Sequence, residues 1–128
     1  MTTPPSLGDF SLGEFSIGLD LFNRACFFDA HEVLEDIWRS LPRERPSRRH
    51  LQGMVQLAVA FHHESKGNLV GARSVLHRAL RNLSGADTSF PDLDLARLRA
   101  DLADWQNYLD GAAPRPQSPQ IYQRKLTP

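Results

Sequence analysis

The segment from Leu51 to Lys66 constrains this chain more than any other. Leu51, Met54, Val55, Leu57, Ala58, Val59 and Phe61 leave little polar face, so a helix here has to be covered around most of its circumference. Such a helix sits at the centre of a bundle, and the flanking segments have the pattern of its neighbours. Apolar positions recur at three and four residues through Phe15, Leu19, Phe22 and Cys26, and again through Ala30, Val33, Leu34, Ile37, Trp38 and Leu41. The same spacing runs through Leu69, Ala72, Val75, Leu76, Ala79, Leu80 and Leu83, and through Leu95, Leu98, Leu102, Trp105 and Leu109. Each set draws one stripe on one helix, which predicts further helices over about 14–25, 28–41, 69–83 and 93–109. Pro42, the pair Gly67-Asn68 and the pair Ser84-Gly85 interrupt them, and Ser47 after Pro46 is the expected N-cap of the central helix. No stretch alternates as a strand does. The expected fold class is therefore all-α: about five helices in an antiparallel helical bundle.

At 128 residues and 14.4 kDa the chain is sized for one domain. Residues 1–13, with paired prolines and no helical period, read as a flexible arm; 14–110 hold the helical domain. Residues 111–128 carry four of the nine prolines and read as an extended tail. That tail is expected to lie in a groove of its own chain through Ile121, Tyr122 and Leu126, with reach to a neighbouring subunit as the alternative. Lys+Arg and Asp+Glu are both 15, so no global field draws the protein to nucleic acid or to an anionic membrane. No apolar run approaches the roughly 18 residues of a membrane span, and the first residues show no signal peptide, so cytoplasmic residence is expected. The lone Cys26 has no internal partner for a disulfide and reads as a small buried hydrophobe.

The helices also echo one another. Aligning 26–30 onto 68–72 continues without a gap, so that Val33 meets Val75, Leu34 meets Leu76 and Leu41 meets Leu83. Each half is then a helical hairpin. The arrangement resembles tetratricopeptide hairpins, two units plus a closing helix, although the offset exceeds their usual period of about 34 residues.

Two sets of polar residues stand out on these otherwise apolar helices. His31 and Glu35 lie one turn apart, with Glu32 beside them and Trp38 a turn further on. Gln52, Gln56 and His63 fall on one stripe of the central helix. An inward glutamine or histidine without a partner costs about 1 to 3 kcal/mol, so the two sets are expected to meet in one buried or cleft-lining cluster. Gly53 is expected to mark a close approach by Trp38 or by a ligand. The spacing is not that of the zinc-protease helix, which needs a second histidine where Glu35 stands, and there is no Glu-x-x-His for a di-iron bundle.

Three readings of the cluster stand side by side. One is a hydrogen-bond network that fixes helix pairing. The second is a divalent metal site held by His31, His63 and a carboxylate from Glu35 or Glu32. The third is a pocket for a small polar ligand, or an acid/base centre built on a carboxylate-tuned histidine. A different class of function is a non-catalytic adaptor that presents a groove to a peptide and keeps the polar residues for structure. His62, pointing about 100° from His63, is expected at the surface or a helix contact. His50 and His77 read as solvated or capping, and Arg43, Arg45, Arg48 and Arg49 as a solvated loop.

The run LFNRACFFDAHEVLEDIW, followed by LQGMVQLAVAFHHESKGNLVGAR, resembles the bacterial domain of unknown function family numbered 309. The likeness covers about Phe22 to Leu83. By position it places the family's polar residues on Asn23, His31, Glu32, Glu35, Trp38, Gln52, Gln56, His63 and Asn68, and its glycines on Gly53, Gly67 and Gly71. Ala25 and Cys26 stand where many relatives have Gly followed by a polar residue, so the first interhelical turn is expected to differ slightly. The resemblance implies a small all-helical fold with a shared polar site and no established activity.

Overall fold

The computed structural model describes residues 12–124. The central helix, α3, runs Pro46–Ser65, longer at its start than the apolar run suggests. Pro46 takes the first helical position, where a missing N–H costs nothing and the fixed φ suits the helix, so the N-cap is Arg45 and Ser47 lies buried inside the first turn. Ahead of it come α1 (Leu12–Asn23) and α2 (Phe27–Ser40); after it come α4 (Leu69–Asn82) and α5 (Leu95–Leu109). A single 3-10 turn, Ala86–Thr88, lies in the connection to α5 and has no periodic signature. Among the described residues there are five α-helices and no strand, the all-α bundle expected. Helix α1 packs on α2, α2 on α3 and α3 on α4, which makes two successive hairpins closed by α5.

Phe61 of α3 is where the packing converges. Its ring meets Phe22 of α1 edge-on at 5.9 Å, Phe27 of α2 at 5.6 Å and Trp105 of α5 edge-on at 4.9 Å. Edge-to-face rings add attraction between ring edge and ring face to the burial of two large apolar surfaces. One side chain thus ties four helices together, and Phe61 and Trp105 are both almost wholly buried.

Capping explains the other helix ends. The Asn68 side chain accepts from Gly71 N at 2.9 Å and Asp94 from Arg97 N at 3.0 Å, starting α4 and α5. At the far end of α4, Arg49 does not wave in solvent. Its guanidinium donates to the carbonyls of Arg81, Asn82 and Ser84 at 3.1, 3.3 and 3.0 Å, and Arg99 donates to Leu83 O at 3.0 Å. Carbonyls left over at a helix C-terminus carry partial negative charge, and a cation is the natural cap.

The turn from α1 to α2 passes through Ala25 at φ 62, the left-handed region that favours glycine. The backbone there adopts the glycine conformation even though alanine occupies the position. We expect Ala25→Gly to raise stability by up to about 1 kcal/mol, the relief of Cβ strain exceeding the entropy glycine adds to the unfolded chain; a lowered urea midpoint contradicts this.

The tail closes the structure. Ile121 is buried, Leu93 and Gln123 form an isolated antiparallel bridge, and Arg115 makes a two-point ion pair with Glu64 of α3 at 2.9 and 3.0 Å. Ile121 and Tyr122 therefore lie against their own chain; Leu126 falls outside the described residues.

Candidate functional site

His31 and Glu35 are brought together by one turn of α2. Nε2 of His31 stands 2.7 Å from an oxygen of Glu35, and Arg39, a turn further on, holds the other oxygen at 3.0 Å. Both His31 and Glu35 are about a quarter exposed, so the pair is reachable yet partly screened from water. A carboxylate in this position selects the tautomer with hydrogen on Nε2, because an ionised Glu35 only accepts. Among the described residues Nδ1 of His31 has no hydrogen-bond partner. Phe28, 51% exposed, places its ring 5.7 Å from His31 and 5.4 Å from His62 of α3. An apolar ring thus lies between two imidazoles at the α2–α3 seam. Beside it, an open depression of about 270 Å³ is lined by Phe28, Asp29, Cys26, His62, Ser65 and Lys66.

The remaining expected members lie elsewhere. Gln56 accepts from Asn82 of α4 at 2.8 Å, and His63 contacts Asn68 at 3.4 Å, at the α3–α4 turn. Among the described residues no hydrogen bond joins His31, Glu32 or Glu35 to Gln52, Gln56 or His63. Glu32 faces solvent and Gln52 is half-buried. Helix α3 is covered from two sides, and its glutamine stripe turns toward α4 instead of α2. Nor is there, among the described residues, any group of three or more His, Cys, Asp or Glu side chains placed to hold a metal ion. His31, Glu35 and His63 accordingly do not form a three-ligand set in this structure.

Gly53 marks a close approach, but to α4. A Cβ there would stand 2.8 Å from Leu83 Cγ and 3.2 Å from the Ala79 carbonyl oxygen, and neither Trp38 nor a ligand position is involved. Trp38 instead carries the Arg48 guanidinium 4.2 Å from its ring centroid, a cation–π contact, while its indole N–H is buried with no partner among the described residues. Cys26 is half-buried at the N-cap of α2, its thiol 3.8 Å from the Arg24 carbonyl oxygen.

His50, read from the sequence as solvated or capping, is only 3% exposed. Nδ1 lies 2.6 Å from Ser89 Oγ and Nε2 lies 3.2 Å from an Arg49 nitrogen. Arginine can only donate, so Nε2 accepts and the Nδ1–H donates to Ser89: a neutral imidazole locking α3 to the loop before α5. Burial, and after it the neighbouring Arg49 charge, hold its pKa below the ordinary histidine value of 6.5. A histidine whose pKa falls on folding contributes stability that is present above its unfolded pKa and is lost progressively as pH drops from there through the lower folded value. We expect stability to fall as pH drops below 6.5, and the fall to be smaller in His50→Gln; equal losses in urea titrations of both proteins contradict this. The sequence signal was available in the apolar neighbours Leu51 and Met54, which put position 50 on the buried side of α3.

No helix among the described residues is long and apolar enough to cross a membrane. The model of a domain of unknown function, DUF309, matches residues 15–75, which take in most of α1, all of α2 and α3 and the first half of α4. The chain is similar to the uncharacterized protein YpuF of Bacillus subtilis (strain 168), 33% identical over 69 residues, 54% of this chain and 39% of that protein. It is also similar to an uncharacterized protein of Aquifex aeolicus (strain VF5), 28% identical over 83 residues, 65% of this chain and 25% of that protein. In both cases the chain spans well under half the length of the relative.

Proposed function

We propose, for a chain whose residues 15–75 match the model of DUF309, that the α2–α3 seam binds a small polar ligand carrying a flat ring. The observation that carries the reading is the His31–Glu35 pair at 2.7 Å, which leaves Nδ1 of His31 as an oriented acceptor beside an exposed Phe28 ring. Phe28 and His62 offer stacking surfaces, His31 offers one directed hydrogen bond, and Glu35 with Arg39 fixes the imidazole that makes it. The open depression beside the pair takes in Phe28 and His62, and His31 stands at its edge through its contact with Phe28. An imidazole oriented by a carboxylate is also the arrangement of an acid/base pair, so that role fits the same site. A metal ion is not part of this reading. The cytoplasmic placement expected from the sequence belongs to the proposal as well.

A second reading, the adaptor, has an observation of its own. Leu69 and Val70 are 41% and 83% exposed at one end of an open groove of about 550 Å³ on α4, lined further by Arg73, His77 and Arg81.

One titration separates the two. Phenol and benzamide, each a flat ring with a hydrogen-bond donor, added to the labelled protein at millimolar concentration should shift the NMR signals of Phe28, His31, Glu35 and His62. The response should vanish in His31→Ala. Shifts confined to Leu69, Val70 and His77 favour the adaptor, and shifts at the seam that survive His31→Ala contradict the ligand site.

A further inference from the structure

We infer that the groove holding residues 119–122 is a recognition site for an extended peptide, filled here by the chain's own tail and able to take the same segment from a second copy. The recognition is of backbone first. Asn23, at the end of α1, donates from Nδ2 to Ile121 O at 2.9 Å and accepts from Ile121 N at 2.7 Å. One carboxamide thus reads both amide groups of a single residue, a contact that only an extended chain satisfies. On the other side Asp94 N donates to Tyr122 O at 2.8 Å and Arg124 N to Asp92 O at 2.7 Å, so the segment is paired on two edges.

Side-chain selectivity follows at positions 119, 121 and 122. Ile121 is 4% exposed, and the Arg97 guanidinium lies 3.7 Å from the centroid of the Tyr122 ring, while Pro119 is buried and keeps the approach extended. The groove therefore asks for the pattern Pro-x-Ile-Tyr. It is not completely filled: a cavity of about 230 Å³ remains between the tail and α5, beside Arg97, Asp104 and Trp105. Every contact made by the tail within one chain is available between two. The balance is set by the effective concentration of the tethered segment against that of a free one.

The test uses full chains with complementary defects. Asn23→Ala keeps a normal tail but has lost the backbone reader; Ile121→Asp keeps the groove but carries a tail that cannot enter it. Dye-labelled Asn23→Ala chain, titrated with Ile121→Asp chain and followed by anisotropy, should show saturable binding. Binding should be at least tenfold weaker when the titrant is the wild-type chain, whose groove is occupied, or the Ile121→Asp, Asn23→Ala double variant. Should Ile121→Asp lose its helical circular dichroism, Ile121→Ala replaces it in the same titration. Absence of binding with a folded open-groove chain, or binding unchanged by Asn23→Ala in the titrant, overturns the inference.

Discussion

Phe61→Ala should cost about 3–5 kcal/mol, the range for removing a large aromatic side chain from a packed core. The reason lies in which surfaces lose their partner: Phe22, Phe27 and Trp105 come from three other helices, and each packs on that one ring. Collapse cannot repair a gap whose walls belong to four separate elements, so the cavity term should be retained in full. A domain of this kind has about 5–15 kcal/mol in total, so the variant should stand near the edge of folding. In urea unfolding the midpoint should drop sharply with little change in slope. A loss below about 1 kcal/mol would show that α5 and the α1–α2 hairpin are held by something other than this cluster.

Gly53→Val should cost about 2–3 kcal/mol, from the opposite cause. Position 53 gains helix propensity from any side chain, and the first added carbon already lies 2.8 Å from Leu83 Cγ and 3.2 Å from a backbone oxygen of α4. Leu83 is almost wholly buried and has nowhere to swing, and the Ala79 carbonyl moves only with its helix. The β-branched side chain therefore has to push α3 and α4 apart along their shared interface, and overpacking of a tight core typically costs 1–3 kcal/mol. Stability equal to wild type, measured by the same titration, means that the two helices have slack that the geometry does not contain.

The helices were legible because burial obeys the 3.6-residue period, and a stripe such as Leu95, Leu98, Leu102 and Trp105 has one structural meaning. The polar set was half legible. His31 and Glu35 sit on the same helix, so their spacing alone decides that they meet. Whether Gln56 and His63 face α2 or α4 depends on the rotation of α3 between two neighbours, which a stripe does not encode. Gly53 carried the same ambiguity: its spacing announces a close approach, and only the packing says that Leu83 is the partner. His50 and Arg49 were misplaced for a related reason. A basic run beside a proline-rich loop reads as solvated, yet α3 begins at Pro46, which pulls those residues into a helix and against the end of α4. Ala25 is a further case: its departure from the glycine of many relatives suggested a slightly different turn, and the backbone there takes the left-handed conformation that glycine favours.

The most direct test of the central claim is the ¹⁵N spectrum of the His31 side chain above the range where imidazole protonates. With Glu35 accepting from Nε2, the neutral ring should be almost entirely the Nε2–H tautomer, and Glu35→Ala should release it to a mixture. Phenol or benzamide should then move the Nδ1 signal of the wild type alone. A wild-type ring that is already mixed, or one whose Nδ1 carries the hydrogen, would contradict an oriented acceptor at the seam and with it the ligand site proposed for this domain.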